Sequence, residues 1–230
     1  MYFQKSSDDT TTQDDKERQR INLDRYIENE KNELYQKTQI LLKISNSSLS
    51  RHDVLNKTFE AFKPTKDTVE ILGKLQRWTP KINFGILLYG PIGSGKTHLL
   101  KALCIKWATR YYCTMFRASG AIFDDLRGNM DNFEDAFSKY LLVDLLIVDD
   151  LGSENVTEWV QEKILMLIEK RINRNLPVMM STNLMLDELQ AKYGPRTYDR
   201  LKELMIFQEV KGYSKRSYVA KRGQDAWNNL

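Results

Sequence analysis

The chain has 230 residues, a length that suits one domain with an appendage rather than two full domains. Hydrophobic residues make up 41% of it, enough for a real core, and no apolar run reaches the roughly 18 residues that a membrane span requires. The net charge of +4 is too small to identify a nucleic-acid-binding protein by itself. The two cysteines, Cys104 and Cys113, lack metal-site spacing and fit ordinary thiols in a reducing cytoplasm.

The N-terminal part is predicted to hold a tail and a helical extension. Met1–Gln4 looks like the remnant of an expression tag, and residues 1–20 are so polar and charged that we expect a disordered tail. Between about 21 and 44, apolar residues recur at roughly helical spacing among charges, which predicts one or two amphipathic helices. This extension, residues 21–49, is expected either to pack on the main domain or to contact a partner protein. Residues 50–230 form the predicted main domain.

In the main domain, helical patterns alternate with apolar strand patterns. Helices are predicted at about 65–78, 96–110, 119–141 (two short helices divided near Gly128-Asn129), 156–174, 185–193 and 195–204. Strands are predicted at about 84–89, 111–116, 141–150, 177–183 and 205–211. This alternation predicts an α/β fold with a parallel sheet of five strands and helices on both of its faces.

A glycine-rich loop joins the first strand to its helix and matches the P-loop pattern, G-x-x-x-x-G-K-[ST], at every defined position. Its glycines let backbone N–H groups surround phosphate oxygens, and the helix that follows points the positive end of its dipole at the same anion. Lys96 supplies a charge for the β- and γ-phosphates of ATP, and the Thr97 hydroxyl can bind Mg²⁺. The residues expected to bind the nucleotide are Gly90, Pro91, Ile92, Gly93, Ser94, Gly95, Lys96, Thr97 and His98.

Polar side chains follow two later strands where each strand ends. Ligands of open parallel sheets sit beyond the carboxyl ends of the strands, so these side chains and the P-loop can converge. Asp149 is expected to hold Mg²⁺ together with Thr97, and Asp150 to orient or deprotonate the attacking water. Asn183 is expected to position that water or the γ-phosphate. Taken singly, such acids and asparagines are also common in turns.

These motifs resemble one family. Gly90–Thr97, Leu145–Gly152, Ser181–Asn183 and Arg196–Leu201 look like those of the AAA+ ATPases of the bacterial helicase-loader type (DnaC/DnaI) and of the similar IstB transposition helpers. The resemblance covers about residues 55–220. It implies the strand order 5-1-4-3-2, ATP and Mg²⁺ as cofactors, and a nucleotide bound between neighbouring subunits of an oligomer.

The resemblance also assigns roles to several side chains. Asn183 is at the sensor 1 position, and Arg200 matches the arginine finger that reaches a neighbour's γ-phosphate, with Arg196 as the near alternative. The alternative for Arg200 is a surface ion pair with Glu203, three residues later on the same helix. Arg216 is similar to the sensor 2 arginine, while a surface or DNA-facing role is left open for it. Weaker candidates for contact with a neighbour are Arg171 and Arg174.

The sequence departs from the common family pattern in three ways. Asp150 stands where many AAA+ proteins have Glu, and the shorter side chain predicts slow basal hydrolysis, typical of a switch rather than a motor. The short stretch after the fifth strand predicts a reduced or absent C-terminal lid. The N-terminal region lacks the cysteine cluster of a zinc-binding helicase-contact domain.

The stretch 117–140 occupies the place where this branch inserts helices that contact single-stranded DNA. Arg117 and Arg127 are the candidate DNA contacts, since arginine beside aromatic rings suits single strands. The rings themselves are each better explained as core residues; they are Phe123, Phe133 and Phe137.

The leading hypothesis is an ATPase that delivers a replicative DNA helicase to single-stranded DNA. The alternative within the fold is an IstB-like ATPase that assists a transposase. A small-molecule P-loop kinase and a non-hydrolysing interaction module belong to other classes. Asp149, Asp150 and Asn183 favour water as the acceptor of the phosphoryl group over the acceptor that a kinase needs.

Overall fold

The computed structural model describes residues 13–44, 47–82, 84–212 and residue 227. The chain divides into two units, Met1–Lys37 and Thr38–Leu230. Within the described ranges, every helix is too short or too polar to cross a membrane.

One continuous helix, α1 (Gln13–Ile44), occupies the described part of the N-terminal region, where one or two helices were predicted. It begins earlier than the predicted start near residue 21. Residues 13–20, expected to belong to the disordered tail, are rich in Gln, Lys, Glu and Arg, which favour helix. The division into tail, extension and main domain remains a prediction.

The main domain contains five strands and seven further α-helices among the described residues. The helices are α2 (Arg51–Asn56), α3 (Val69–Arg77), α4 (Lys96–Ala108), α5 (Ser119–Gly128), α6 (Phe133–Leu142), α7 (Glu158–Ile172) and α8 (Leu186–Leu204), with a 3₁₀ turn at Met130–Asn132 between α5 and α6. The strands are β1 (Gly85–Tyr89), β2 (Thr114–Ala118), β3 (Leu145–Asp149), β4 (Val178–Ser181) and β5 (Met205–Glu209).

All five strands run parallel in the order β2-β3-β4-β1-β5, which confirms the order that the family resemblance implied. Ile86 of β1 lies in register with Met179 of β4 on one side and Ile206 of β5 on the other. The central strands β3 and β4 are buried along their apolar length, typical of parallel strands that are covered on both faces. Since β3, β4 and β1 are neighbours, the segments that follow them emerge side by side at one edge of the sheet.

Three predicted boundaries in the main domain are wrong by three residues or more. The third strand begins at Leu145 rather than 141, because α6 continues to Leu142. The second strand begins at Thr114 rather than 111, because Tyr111 has a φ of 65° and Tyr112 N donates to Trp107 O at 3.1 Å, which ends α4 with a left-handed turn. The helix predicted from residue 65 begins at Val69. The four residues before it form a turn in which Thr65 N donates to Thr68 Oγ1 at 2.8 Å.

The two helices predicted at 185–193 and 195–204 are the two halves of α8. Gly194 separates them with φ 76° and ψ 157°, a backbone conformation outside the helical region. Pro195, which lacks an amide hydrogen, then begins the second half. Arg196 and Arg200 lie on that second half, so the break sets the direction in which they project.

Arg171, a weak candidate for contact with a neighbouring subunit, is instead fully buried in the core. Its guanidinium donates to Tyr140 O at 2.7 Å, to Val143 O at 2.9 Å and to Pro177 O at 2.9 Å. Burial lowers the pKa of Arg171 to about 9, which still leaves it protonated at neutral pH. The side chain satisfies carbonyls at the end of α6 and before β4, so that prediction was wrong.

Replacement of Arg171 by Met should lower the free energy of unfolding by about 2–4 kcal/mol, because three carbonyl oxygens in the core lose a charged hydrogen-bond donor. Arg174→Met, on an exposed side chain three residues later, is the control and should change stability by less than about 0.5 kcal/mol. Urea unfolding of both variants measures the difference. Equal midpoints would show that Arg171 does not support the core.

Candidate nucleotide-binding site

A cleft of about 650 Å³ opens at the carboxyl edge of β1, β3 and β4. We call it the P-loop cleft. Three of the predicted segments meet in its wall: the P-loop, the acids after β3 and Asn183 after β4. The predicted residues that line it are Ile92, Gly93, Gly95, Lys96, Thr97, His98, Asp149, Asp150 and Asn183.

Two glycines of the P-loop have conformations and surroundings that exclude a larger residue. Gly90 has a φ of 134°, and a Cβ there would lie 2.7 Å from Val210 O, beyond the end of β5. Gly95 has a φ of 104°, and a Cβ there would lie 2.7 Å from Cε2 of Phe62. Both positions therefore require glycine, because the backbone of the loop packs closely against Val210 and Phe62.

Lys96 is buried, with 4% of its surface exposed. Its ammonium group donates to Gly90 O at 2.7 Å and to Pro91 O at 2.9 Å. The positive charge is thereby held inside the curve of the P-loop, where phosphate oxygens can compete with these carbonyls for it.

Asp149 accepts two hydroxyl hydrogen bonds on one oxygen. Thr97 Oγ1 donates to Asp149 Oδ1 at 3.1 Å, and Ser181 Oγ donates to the same atom. Burial raises the pKa of the Asp149 carboxyl, and the hydrogen bonds from Ser181 and Thr97 oppose that shift. Carboxylate and hydroxyl oxygens are ligands that suit Mg²⁺, so Thr97 and Asp149 fit the metal role predicted for them.

Asp150 has different partners from its neighbour. Asn183 Nδ2 donates to Asp150 Oδ1 at 2.5 Å, and the Asp150 amide donates to Ser181 Oγ at 3.1 Å. The Asp150 backbone has a φ of 59°, an uncommon conformation for a residue with a side chain. This turn directs the Asp150 carboxylate towards Asn183, whereas the Asp149 carboxylate is bonded to Thr97.

Sequence reasoning missed one wall of the cleft. The segment between α2 and α3 crosses the P-loop, and its cleft-lining residues are Lys57, Ala61, Phe62 and Lys63, joined by Asn56 at the end of α2 and Lys101 of α4. The edge of the Phe62 ring meets His98, with 5.2 Å between ring centroids, and His98 Nε2 is 2.9 Å from Thr58 O. No periodic pattern marks this segment, so the sequence offers no signal that connects Phe62 with the P-loop.

The predicted arginine finger and its alternative lie outside the lining of the P-loop cleft of their own chain. Arg200 is exposed and donates to Glu169 Oε1 at 2.8 Å and to Glu203 Oε2 at 2.6 Å, so the ion pair with Glu203, the alternative to the arginine-finger role, is present. Arg196 is also exposed. Their action on a neighbouring subunit stays a prediction, and Arg216 lies outside the described residues.

The two candidate DNA contacts are separated by helix α5. Arg117 is half-buried on β2, just before α5, and Arg127 is exposed at its other end, roughly 15 Å along a ten-residue helix. Arg127 contacts Asp124 at 3.6 Å and lies 5.3 Å from the centroid of the Trp159 ring. The prediction that Phe123 and Phe137 are core residues is confirmed, with 1% and 0% exposure, while Phe133 is half-buried.

Comparison with known proteins supports the resemblance found in the sequence. The sequence model of the IstB-like ATP binding protein family matches residues 6–218. The replicative helicase loader DnaI of Bacillus subtilis (strain 168) is 28% identical over 112 residues, which are 47% of this chain and 36% of the loader. The replicative helicase loader DnaC of Escherichia coli (strain K12) is 24% identical over 155 residues, 64% of this chain and 63% of the loader. The chain thus matches only part of each relative's length.

Solved structures support the fold. A crystal structure of the DnaC helicase loader superposes with a TM-score of 0.60 at 23% identity, covering 69% of this chain and 98% of that chain. AMPPCP-bound DnaA from Aquifex aeolicus superposes with a TM-score of 0.62 at 18% identity, covering 75% of this chain and 56% of that chain. The AAA+ fold predicted from the motifs is thereby confirmed.

Asp149→Asn should leave the nucleotide-free protein at least as stable as the wild type at pH 7. Because burial raises the pKa of Asp149, its ionised form destabilises the folded state at neutral pH, and this cost disappears as the pH falls through the folded-state pKa towards the unfolded value of 3.8. Asn removes the charge and keeps an oxygen for Thr97 and Ser181. Thermal unfolding without nucleotide measures the effect.

The same variant should lose the part of its ATP-induced stabilisation that depends on Mg²⁺, because one metal ligand is gone. Thermal unfolding with ATP, in the presence and absence of Mg²⁺, measures this loss. Asp131→Asn, at an exposed acid between α5 and α6, is the control and should keep the Mg²⁺ response. A wild-type response in Asp149→Asn would contradict the metal role.

Proposed function

We propose that this chain, which belongs to the IstB-like ATP-binding protein family, hydrolyses ATP slowly and uses the nucleotide to place a replicative helicase on single-stranded DNA. The observation that carries the ATPase proposal is the separation of the two neighbouring acids. Asp149 accepts hydrogen bonds from Thr97 and Ser181, whereas Asp150 accepts one from Asn183. One acid is thus available for a metal and the other for water, in a single cleft.

Each part of the P-loop cleft has a distinct role in this proposal. The P-loop amides and Lys96 hold the β- and γ-phosphates of ATP, and Thr97 with Asp149 would hold Mg²⁺, which neutralises charge on the phosphates when it is bound. Asp150 and Asn183 orient a water molecule towards the γ-phosphorus. The water oxygen forms the new bond to phosphorus, the bond to the β–γ bridging oxygen breaks, and ADP leaves with that electron pair.

The proton of the attacking water passes to Asp150 or to solvent. The Asp150 side chain is one methylene shorter than the Glu of many AAA+ proteins, and it is already bonded to Asn183. Water is therefore held less closely, which accounts for the slow turnover that we expect. The pairing of Asp150 with Asn183 beside the phosphate site also favours water over a small-molecule acceptor and argues against a kinase.

Arg200 completes the site from a neighbouring subunit in this proposal. In the isolated chain its guanidinium is bonded to Glu169 and Glu203, and these contacts are exposed and therefore weak. A γ-phosphate presented by a neighbour can replace them, because its oxygens match the planar donor groups of arginine. ATP hydrolysis would then depend on the assembly of subunits. Arg196, one turn earlier on α8, remains the alternative.

The partner is proposed from the relatives. DnaI and DnaC are replicative helicase loaders, and sequence similarity to both covers part of the main domain. Helix α1 offers exposed apolar side chains, such as Leu23, Ile27 and Leu34, for contact with a helicase. The match to the IstB-like family supports a second candidate, an ATPase that assists a transposase.

Arg200→Ala should reduce the turnover of ATP by about 1,000-fold or more while ATP binding is retained, because the arginine acts on transition-state charge. Arg110→Ala, at an exposed arginine just after α4 and outside the lining of the P-loop cleft, is the control and should keep wild-type turnover. An equimolar mixture of Arg200→Ala and Asp150→Asn should regain activity, because the first chain supplies a complete cleft and the second supplies the arginine. Steady-state phosphate release measures all four samples, and an inactive mixture would exclude a trans arginine at this position.

Asp150→Asn should retain ATP and therefore stay in the state that binds its partner. When it is used as bait in its native host, a replicative helicase should be recovered in an ATP-dependent manner. Lys96→Ala, which lacks the phosphate-binding charge, is the control and should recover less. Recovery of a transposase instead would establish the second candidate, and recovery of neither would contradict both.

A further inference from the structure

A buried carboxylate lies beside the P-loop cleft but is not part of its lining. The Glu154 side chain accepts hydrogen bonds from Ser119 Oγ, from the Gly152 amide at 3.1 Å and from the Tyr193 hydroxyl. We call these four residues the Glu154 cluster. Ser119 and Tyr193 are fully buried, and Glu154 is 9% exposed.

The Glu154 cluster holds the loop that carries Asp150. Gly152 has a φ of 91°, and a Cβ there would lie 2.6 Å from Leu184 Cδ1, so the loop is closely packed. The Gly152 amide is bonded to Glu154, and the Gly152 carbonyl accepts a hydrogen bond from Lys192 Nζ of α8. The amide and the carbonyl of Gly152, two residues after Asp150, are therefore both held by hydrogen bonds.

The same cluster holds α8 at its break. Tyr193 is the last residue of the first half of α8 and directly precedes Gly194, where the helix is interrupted. Its hydroxyl is bonded to Glu154, and its neighbour Lys192 is bonded to Gly152. The first half of α8 is thus fixed at its C-terminal end. The second half, which carries Arg200, begins at that point.

A buried carboxylate is costly unless its hydrogen bonds are satisfied, and here the donors come from three separate elements. Ser119 opens α5 after β2, Gly152 belongs to the loop after β3, and Tyr193 belongs to α8. A displacement of the Asp150 loop therefore removes a hydrogen bond from Glu154 unless α8 moves with the loop. The two elements are coupled through one side chain.

We infer that Glu154 is a positioning residue that links the Asp150 loop of a subunit to the arginine that the same subunit presents to its neighbour. This inference rests on the proposed function, in particular on Arg200 acting in trans. The nucleotide state sensed at Asp150 and Asn183 is transmitted through Glu154 and Tyr193 to the second half of α8. Each subunit thereby aligns its arginine according to the nucleotide in its own cleft.

The test uses the mixture of full-length chains described above, because it separates the two roles of a subunit. The Asp150→Asn chain is the arginine donor, and the Arg200→Ala chain is the cleft owner. Tyr193→Phe, which removes only the hydroxyl, is introduced into one of the two chains at a time. Tyr140→Phe is the matched control, since Tyr140 is also buried and donates to a carboxylate, that of Asp125, at 2.7 Å.

Tyr193→Phe in the arginine donor should lower kcat of the mixture by about tenfold or more, because a misplaced arginine loses its alignment, and should leave KM for ATP unchanged. In the cleft owner, whose own arginine is absent, the same change should lower kcat by less than about twofold. Glu154→Gln should lower kcat from either position, since the Asp150 loop also depends on it. Tyr140→Phe should leave kcat unchanged in both chains.

Two outcomes would overturn the inference in distinguishable ways. If the parental mixture is inactive, the trans arginine fails and the inference fails with it. If the parental mixture is active and Tyr193→Phe has the same effect in either chain, or none, the coupling fails while the ATPase proposal stands. Thermal unfolding of each chain identifies a general loss of stability, which a purely structural role would produce equally in both positions.

Discussion

The Ser181 hydroxyl is the contact on which the geometry of both acids depends. It donates to the carboxylate of Asp149 and accepts from the amide of Asp150. Ser181 ends β4 and Asp149 ends the adjacent β3. The Ser181 hydroxyl therefore joins the end of β4 to the turn that follows β3. The positive φ of Asp150 is sustained by this contact, and the separation of the two carboxylates follows from it.

The P-loop cleft places a half-buried acid, Asp149, and a buried lysine, Lys96, in the same wall. Burial and, to a lesser extent, the neighbouring acid Asp150 raise the pKa of Asp149, and the ammonium group of Lys96 donates to two backbone carbonyls and a hydroxyl of its own loop. A nucleotide with its cation supplies partners of opposite charge to both. The charges of Asp149 and Lys96 therefore favour a ligand that combines a cation with phosphate groups.

The strands, the P-loop and the acids were predictable because their signals are local. An apolar run shows where a strand ends, and parallel strands bring their ends together whatever the intervening chain does. Phe62 was missed because its contact with Gly95 joins segments that no periodicity connects. Arg171 was misjudged because an arginine in an amphipathic helix usually faces solvent, and the carbonyls that bury it come from distant parts of the chain. Glu154 carries no sequence signal for a buried network, since acids after a strand are commonly exposed turn residues.

The contact between Gly90 and the end of β5 bears on how the domain folds. Gly90 leaves room for Val210 O, and Val210 N donates to Tyr89 O at 2.8 Å, so the first residue of the P-loop is shaped by the last strand of the sheet. Contacts of such large sequence separation form late, because a long loop must close before they gain anything. A nascent chain that has not yet released β5 contains the complete glycine motif without its native shape. Nucleotide binding should therefore begin only after the whole sheet has been synthesised, and ATP cannot assist the folding of the strands made first.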